Sequence, residues 1–251
     1  VQVMIDHGVY HLNLESSWLL ALNKALSFIP GVPIFFISSG FLIFNTYLNS
    51  QNTTFDFFRN RFLRIFPALV PATFISLLLV VYFSTSPVGL INITKWIVGQ
   101  LTLGQFYTPD SFKFYGVGNP NGSLWTISTE LQFYILVPLV IYFLVRTKQK
   151  LIFFMVLILA SIYANYALYP LYIDDELIGK FAGISFLPYW YLFLSGGLLN
   201  YYWNNVSKLF RNKLFIWLTV FVLFSVSSLL LNIDYNAYWY TNGFKFFNDI
   251  L

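Results

Sequence analysis

Apolar stretches about 20 residues long recur along the whole chain, and they fix what it can fold into. In hydrocarbon, such a stretch satisfies its backbone polar groups by closing them within a helix. Stretches of this kind fall near residues 26–48, 64–83, 124–145, 151–169, 184–203 and 214–231, with a partial one at 1–11. Only 10% of the 251 residues are charged, where soluble domains carry about a quarter. The mean hydropathy of +0.67 agrees. The expected fold is therefore an all-α polytopic transmembrane bundle, a single domain over 1–251 with about seven spans plus partial ends. No soluble domain is expected. The segment "LINITKWIVGQLTLGQFY" (90–107) carries Asn92, Lys95, Gln100 and Gln105. It reads as interfacial or re-entrant rather than as a full span.

Lysine and arginine set orientation in a membrane. Nine of the 14 Lys and Arg residues sit in three segments, "RNRFLR" (59–64), "RTKQK" (146–150) and "KLFRNK" (208–213). These are expected to be cytoplasmic connections in an inner membrane, with acids such as "DDE" (174–176) on the other side. The net charge of +4 is thus a topology signal rather than a nucleic-acid footprint. Cysteine is absent, which removes disulfides and a thiolate nucleophile. The start "VQVMIDHGVYH" reads as the second half of a span and the end "FKFFNDIL" as the beginning of another. The expectation is a domain incomplete at both ends.

Several intramembrane residues carry chemistry. His7 and His11 are the only histidines. Their spacing of four shares a helix face, but "HGVYH" lacks the glutamate of the HExxH zinc pattern, so no metal is expected. His7 suits general-base work at neutral pH; the alternative is a polar residue bonded inside the bundle. In "FFRNRFLRIFP" (57–67), Arg61 and Arg64 are three apart and share a face, with Arg59 elsewhere. They read as positive-inside anchors or as a phosphate clamp, since guanidinium binds phosphate bidentately.

Glu130, in "NGSLWTISTELQFYILVPL" (121–139), lies within an otherwise apolar helix. A carboxylate buried there costs several kcal/mol unless paired or protonated. Thr126, Glu130, Phe133 and Val137 share one face, with Trp125, Ser128, Thr129 and Gln132 on an adjoining one. So many polar groups imply a polar cavity or interhelical hydrogen bonding. "GVPIFFISSGFLI" (31–43) holds Ser38, Ser39 and Gly40 mid-helix. Gly40 permits close approach of a helix or an acyl chain, and Ser39 offers a donor.

Together and in order, these stretches resemble the acyltransferase-3 family of integral membrane acyltransferases. Its pattern GVxxFFxxSGFLI is similar to "GVPIFFISSGFLI", its arginine-rich segment to "FFRNRFLRIFP", and its SLWxLxxExxFYxxxP to "SLWTISTELQFYILVP". His7 fits the family's first-helix histidine, whose arginine ten residues earlier would precede residue 1. The specific motifs cover about positions 1–145, and the family typically has ten spans.

The resemblance implies transfer of an acyl group, often acetyl, from cytoplasmic acyl-CoA to a hydroxyl of a cell-surface carbohydrate or lipid-linked sugar in a bacterial envelope. His7 would be the catalytic base, with Glu130 and Ser39 in the catalytic site. Arg59, Arg61, Arg64 and Trp125 would bind the acyl-CoA. A transporter or channel would explain intramembrane His, Glu and Ser equally well, but not the order of the motifs. An inactive fragment of the acyltransferase is a further alternative.

Overall fold

The computed structural model describes residues 18, 31–49, 53–84, 87–105, 107–114, 120, 122–174, 181, 185–211, 213 and 215–219. Helices dominate, and no strand occurs among the described residues. They are α1 (Gly31–Asn49), α2 (Thr54–Phe83), α3 (Leu90–Gln100), α4 (Trp125–Arg146), α5 (Lys150–Asp174), α6 (Trp190–Tyr201) and α7 (Trp203–Phe210). Among the described residues, four helices are long and apolar enough to cross a bilayer: α1, α2, α4 and the first 18 residues of α5. Their outward side chains are apolar, as with Phe74, Ile75, Leu78 and Tyr82 on α2 or Leu151, Ile152 and Val156 on α5. An exposed apolar band of this extent requires lipid rather than water.

The spans expected at 26–48, 64–83, 124–145 and 151–169 each fall on one of these four helices, with two differences from the sequence reading. α2 begins at Thr54, well before residue 64, because Thr53 caps it. The Thr53 hydroxyl accepts from the Asp56 amide at 3.2 Å, and Asp56 Oδ2 accepts from the Thr53 amide at 3.1 Å, closing a capping box. The arginines of 59–64 therefore lie on a helix and not in a connection. The span expected at 184–203 is broken. Pro188 occupies a 3-10 turn over Leu187–Tyr189, α6 follows with 12 residues, and α7 is a separate helix. Proline disfavours helical geometry in the residue before it, which delays the start of α6. Lys208 lies on α7, so 208–213 is part helix too. Residues 146–150 do form a connection, in which Lys150 Nζ caps α4 by donating to the Leu144 and Thr147 carbonyls, both at 2.7 Å. Of 214–231, the described residues 215–219 are helical. The partial span at 1–11 lies outside the described residues.

The segment 90–107 resolves into α3, with 11 residues. At 1.5 Å per residue this is about 16 Å, half of a hydrocarbon core. Trp96 on α3 packs with Val80 of α2 and Phe112 in a buried cluster. Beyond α3 the chain doubles back so tightly that a Cβ on Gly99 would lie 2.8 Å from the Gly104 carbonyl oxygen. Gln105 Nε2 donates to the Gln100 carbonyl across this turn at 3.0 Å. The polar residues that made the segment ambiguous thus shape a helix-and-turn that does not cross.

The chain divides into two compact units, Val1–Leu42 with Leu192–Leu251, and Ile43–Tyr191. In the first, α1 and α6 meet backbone to backbone. A Cβ on Gly40 would lie 2.1 Å from the Phe193 carbonyl oxygen, and one on Gly196 would lie 2.0 Å from that of Ile37. Small residues allow this approach in membranes. Of the two partners considered for Gly40, the structure supplies the helix. Gly40→Ala or Gly196→Ala should destabilise the protein by about 1–3 kcal/mol or more. The check is thermal unfolding in detergent; an unchanged midpoint would contradict the backbone contact.

Candidate functional site

Within the second unit, α2 and α4 bring three polar side chains into line. α4 buries Ser128, Thr129, Glu130, Phe133, Tyr134, Val137, Val140, Ile141 and Leu144, a stripe of helical period. Two polar side chains of α4 tie the fold together. Ser128 Oγ donates to the Leu103 carbonyl at 3.1 Å, pinning the turn after α3. Gln132, beside the stripe, accepts from the Phe186 amide at 3.0 Å. Both bonds join α4 to non-helical segments of the chain.

Glu130 is different. It is 8% exposed, and its Oε1 accepts from the Tyr134 hydroxyl one turn along at 2.6 Å. Tyr134 in turn faces α2. Arg61 Cζ lies 5.7 Å from the Tyr134 ring centroid and 5.5 Å from that of Phe57. Phe57 and Tyr134 meet edge to face at 6.2 Å, and Tyr47 packs on Phe57 at 5.0 Å. The guanidinium is thereby fenced by aromatic rings. Such cation–π contacts stabilise it by about 0.5–2 kcal/mol each.

Those contacts do not replace lost water. Arg61 is 7% exposed, and its Nε and Nη1 are buried with no hydrogen-bond partner. The ion pair found among the described residues is Lys113–Asp110, away from this site. Arg61 lies near the start of α2 and packs against Tyr134 of α4, while Arg59 and Arg64, each within a turn of it, are exposed. A buried cation without an acceptor is costly, and ionisable groups among membrane helices mark candidate functional sites. What the site lacks is an anion with oxygens for the free guanidinium nitrogens.

The other expected site residues are placed as follows. Arg59 and Arg64 are exposed on α2, so the shared face expected for Arg61 and Arg64 leads to one buried and one exposed guanidinium. Trp125 opens α4 and packs its ring 5.1 Å from that of Tyr189. Ser39 is buried on α1 in the first unit, beside Gly40. His7 and His11 lie outside the described residues. Among the described residues, no group of three or more His, Cys, Asp or Glu could hold a metal. Tyr134 was not foreseen as a site residue, although its spacing of four from Glu130 signals a hydrogen bond along the helix.

With this geometry in view, the sequence comparisons are decisive about kinship. The family model described as "Acyltransferase domain" matches residues 2–248. The chain belongs to the acyltransferase-3 family. It is similar to nodulation protein 10 of Rhizobium leguminosarum bv. viciae, 33% identical over 230 residues, covering 86% of this chain and 61% of that protein. It is also similar to the peptidoglycan O-acetyltransferase OatA of Listeria monocytogenes serovar 1/2a. There the identity is 30% over 141 residues, covering 51% of this chain and 21% of that one. The chain thus spans less than two thirds of the length of both curated relatives. No solved structure matches it.

Replacing a buried charge by a packed apolar side chain is often stabilising by about 1–4 kcal/mol. Arg61→Met should therefore raise the thermal midpoint of this family member in detergent. A lower midpoint would show that Arg61 is already compensated within the fold.

Proposed function

We propose that this protein transfers an acyl group, acetyl foremost, from acyl-CoA to a hydroxyl of a cell-surface carbohydrate or lipid-linked sugar, as an integral protein of a bacterial inner membrane. The observation that carries the reading is the buried Arg61 guanidinium, whose Nε and Nη1 have no hydrogen-bond partner. CoA brings phosphates, whose oxygens match a guanidinium fork. Family membership supports acyl transfer, and the Listeria relative is named a peptidoglycan O-acetyltransferase.

In the proposed reaction, an acceptor hydroxyl attacks the thioester carbonyl carbon. The C–O bond forms, the C–S bond breaks, and CoA leaves as the thiolate. His7 takes the hydroxyl proton, because a sugar hydroxyl is a weak nucleophile until a base withdraws its proton. The oxyanion needs a hydrogen-bond donor; Ser39 and the Trp125 indole N–H are the groups assigned. Glu130, held by Tyr134, supplies the negative charge of the site. The three basic segments, 59–64, 146–150 and 208–213, are assigned to the cytoplasmic side by their charge, which places the arginines where acyl-CoA resides. The acceptor is then reached from the opposite side.

A charge-assisted hydrogen bond contributes about 1.5–3 kcal/mol, equivalent to roughly ten- to hundredfold in affinity. Arg61→Ala should raise the Kd for acetyl-CoA by that factor, whereas Arg59→Ala, exposed on α2, should shift it little. Equilibrium binding with the purified protein measures both, and equal effects would return the arginines to membrane anchoring. His7→Ala should abolish transfer of labelled acetyl groups while leaving acetyl-CoA bound. Retained transfer would remove His7 from the catalytic role.

A further inference from the structure

The first unit carries a basic corner that plays no part in the proposed chemistry. α6 holds no charged residue, whereas α7 carries Asn204, Asn205 and Lys208. Where they meet stand Tyr201, Tyr202 and Trp203, residue types that gather at the headgroup level of a bilayer. The Trp203 ring packs 5.1 Å from that of Phe41 on α1. Past α7 the chain turns at once. The Arg211 amide donates to the Ser207 carbonyl at 3.0 Å, the Lys213 amide to the Phe210 carbonyl at 3.2 Å, and the Trp217 amide to the Lys213 carbonyl at 3.1 Å. The Phe210 and Trp217 rings stack across this turn with centroids 4.5 Å apart. Lys208, Arg211 and Lys213 are all exposed at the corner. None of the three makes a side-chain hydrogen bond or ion pair among the described residues. The described residues of this unit include no Asp or Glu.

We propose that this corner binds an anionic phospholipid, its phosphate on Lys208, Arg211 and Lys213 and its acyl chains along Leu209, Phe215 and Ile216. The inference stands apart from the acyl-transfer reading and needs only that the chain is integral to a membrane. Two features carry it. The first is the company the cations keep. Leu209 is 57% exposed, Phe215 84% and Ile216 59%, too much apolar surface beside the charges for water to cover. A phospholipid offers phosphate and hydrocarbon in one molecule, and basic clusters next to membrane helices attract its anionic forms. The second is the position of Lys213. The partial negative charge at the end of α7 favours Lys208 and Arg211, but Lys213 stands at the start of the following helix, where the dipole disfavours a cation. A bound anion offsets that cost, whereas a role in capping α7 does not.

The test uses the purified protein in phosphatidylcholine bilayers containing a trace of spin-labelled phosphatidylglycerol or spin-labelled phosphatidylcholine. The parent should immobilise the anionic lipid several-fold more strongly than the neutral one. Lys208→Gln, Arg211→Gln and Lys213→Gln combined should bring the two lipids level. Lys148→Gln removes an exposed cation outside the corner and should leave the preference near that of the parent. Phe210→Leu keeps every charge but loses the ring stack, and should weaken the preference, because a built site depends on the shape of the corner. Inorganic phosphate should not displace the labelled lipid. The proposal is overturned if the parent shows no preference or if the triple variant keeps it. It is overturned equally if Lys148→Gln and Arg211→Gln weaken the preference alike, which is general charge attraction, or if inorganic phosphate competes, which assigns the corner to a free anion.

Discussion

Every polar group placed among membrane helices must find its partner inside the protein, because lipid offers none. That constraint explains most polar side chains on α4. Ser128 bonds the Leu103 carbonyl and Gln132 the Phe186 amide, so each fastens a non-crossing segment to a spanning helix. Tyr134 satisfies Glu130 in the same way. Among the described residues Trp96, Gln100 and Ser161 also bury polar atoms without a partner, and Arg61 is the charged case. Aromatic faces surround it, but two of its nitrogens face no acceptor. The proposed reading takes this buried cation as a site for an anion rather than a packing defect.

The two sets of small or polar residues that stood out mid-helix have separate uses. Gly40 and Gly196 give the first unit its backbone-to-backbone crossing. Arg61, Tyr134 and Glu130 give the second unit its charge arrangement. One arrangement is built by removing side chains and the other by fencing a long one with rings. Both need close helix packing, since a guanidinium leaves water only when its stem and head are covered.

Much of this was legible in the sequence. Hydrophobic length gave α1, α2, α4 and α5, and the polar residues of 90–107 correctly marked a segment that does not cross. The motifs gave the family, which the match over residues 2–248 bears out. The early start of α2 was missed, although Thr53 and Asp56 stand at capping-box spacing, because hydropathy reports the lipid-facing length and not the helix. The break ahead of α6 was hidden because Pro188 sits in an apolar run that hydropathy reads as continuous. The burial of Arg61 beside an exposed Arg64 was also hidden. Residues three apart share a face, but which of them meets the neighbouring helix is a tertiary fact. Tyr134 was unread as a site residue because a tyrosine in a membrane helix is ordinarily an edge or packing residue, and only the facing helix reveals its second contact.

The most direct test of the central claim is a structure of the full-length protein with CoA bound. The open guanidinium predicts a phosphate oxygen of CoA within hydrogen-bonding distance of Arg61, about 2.7–2.9 Å. CoA bound elsewhere, with the Arg61 nitrogens still unpartnered, would contradict it.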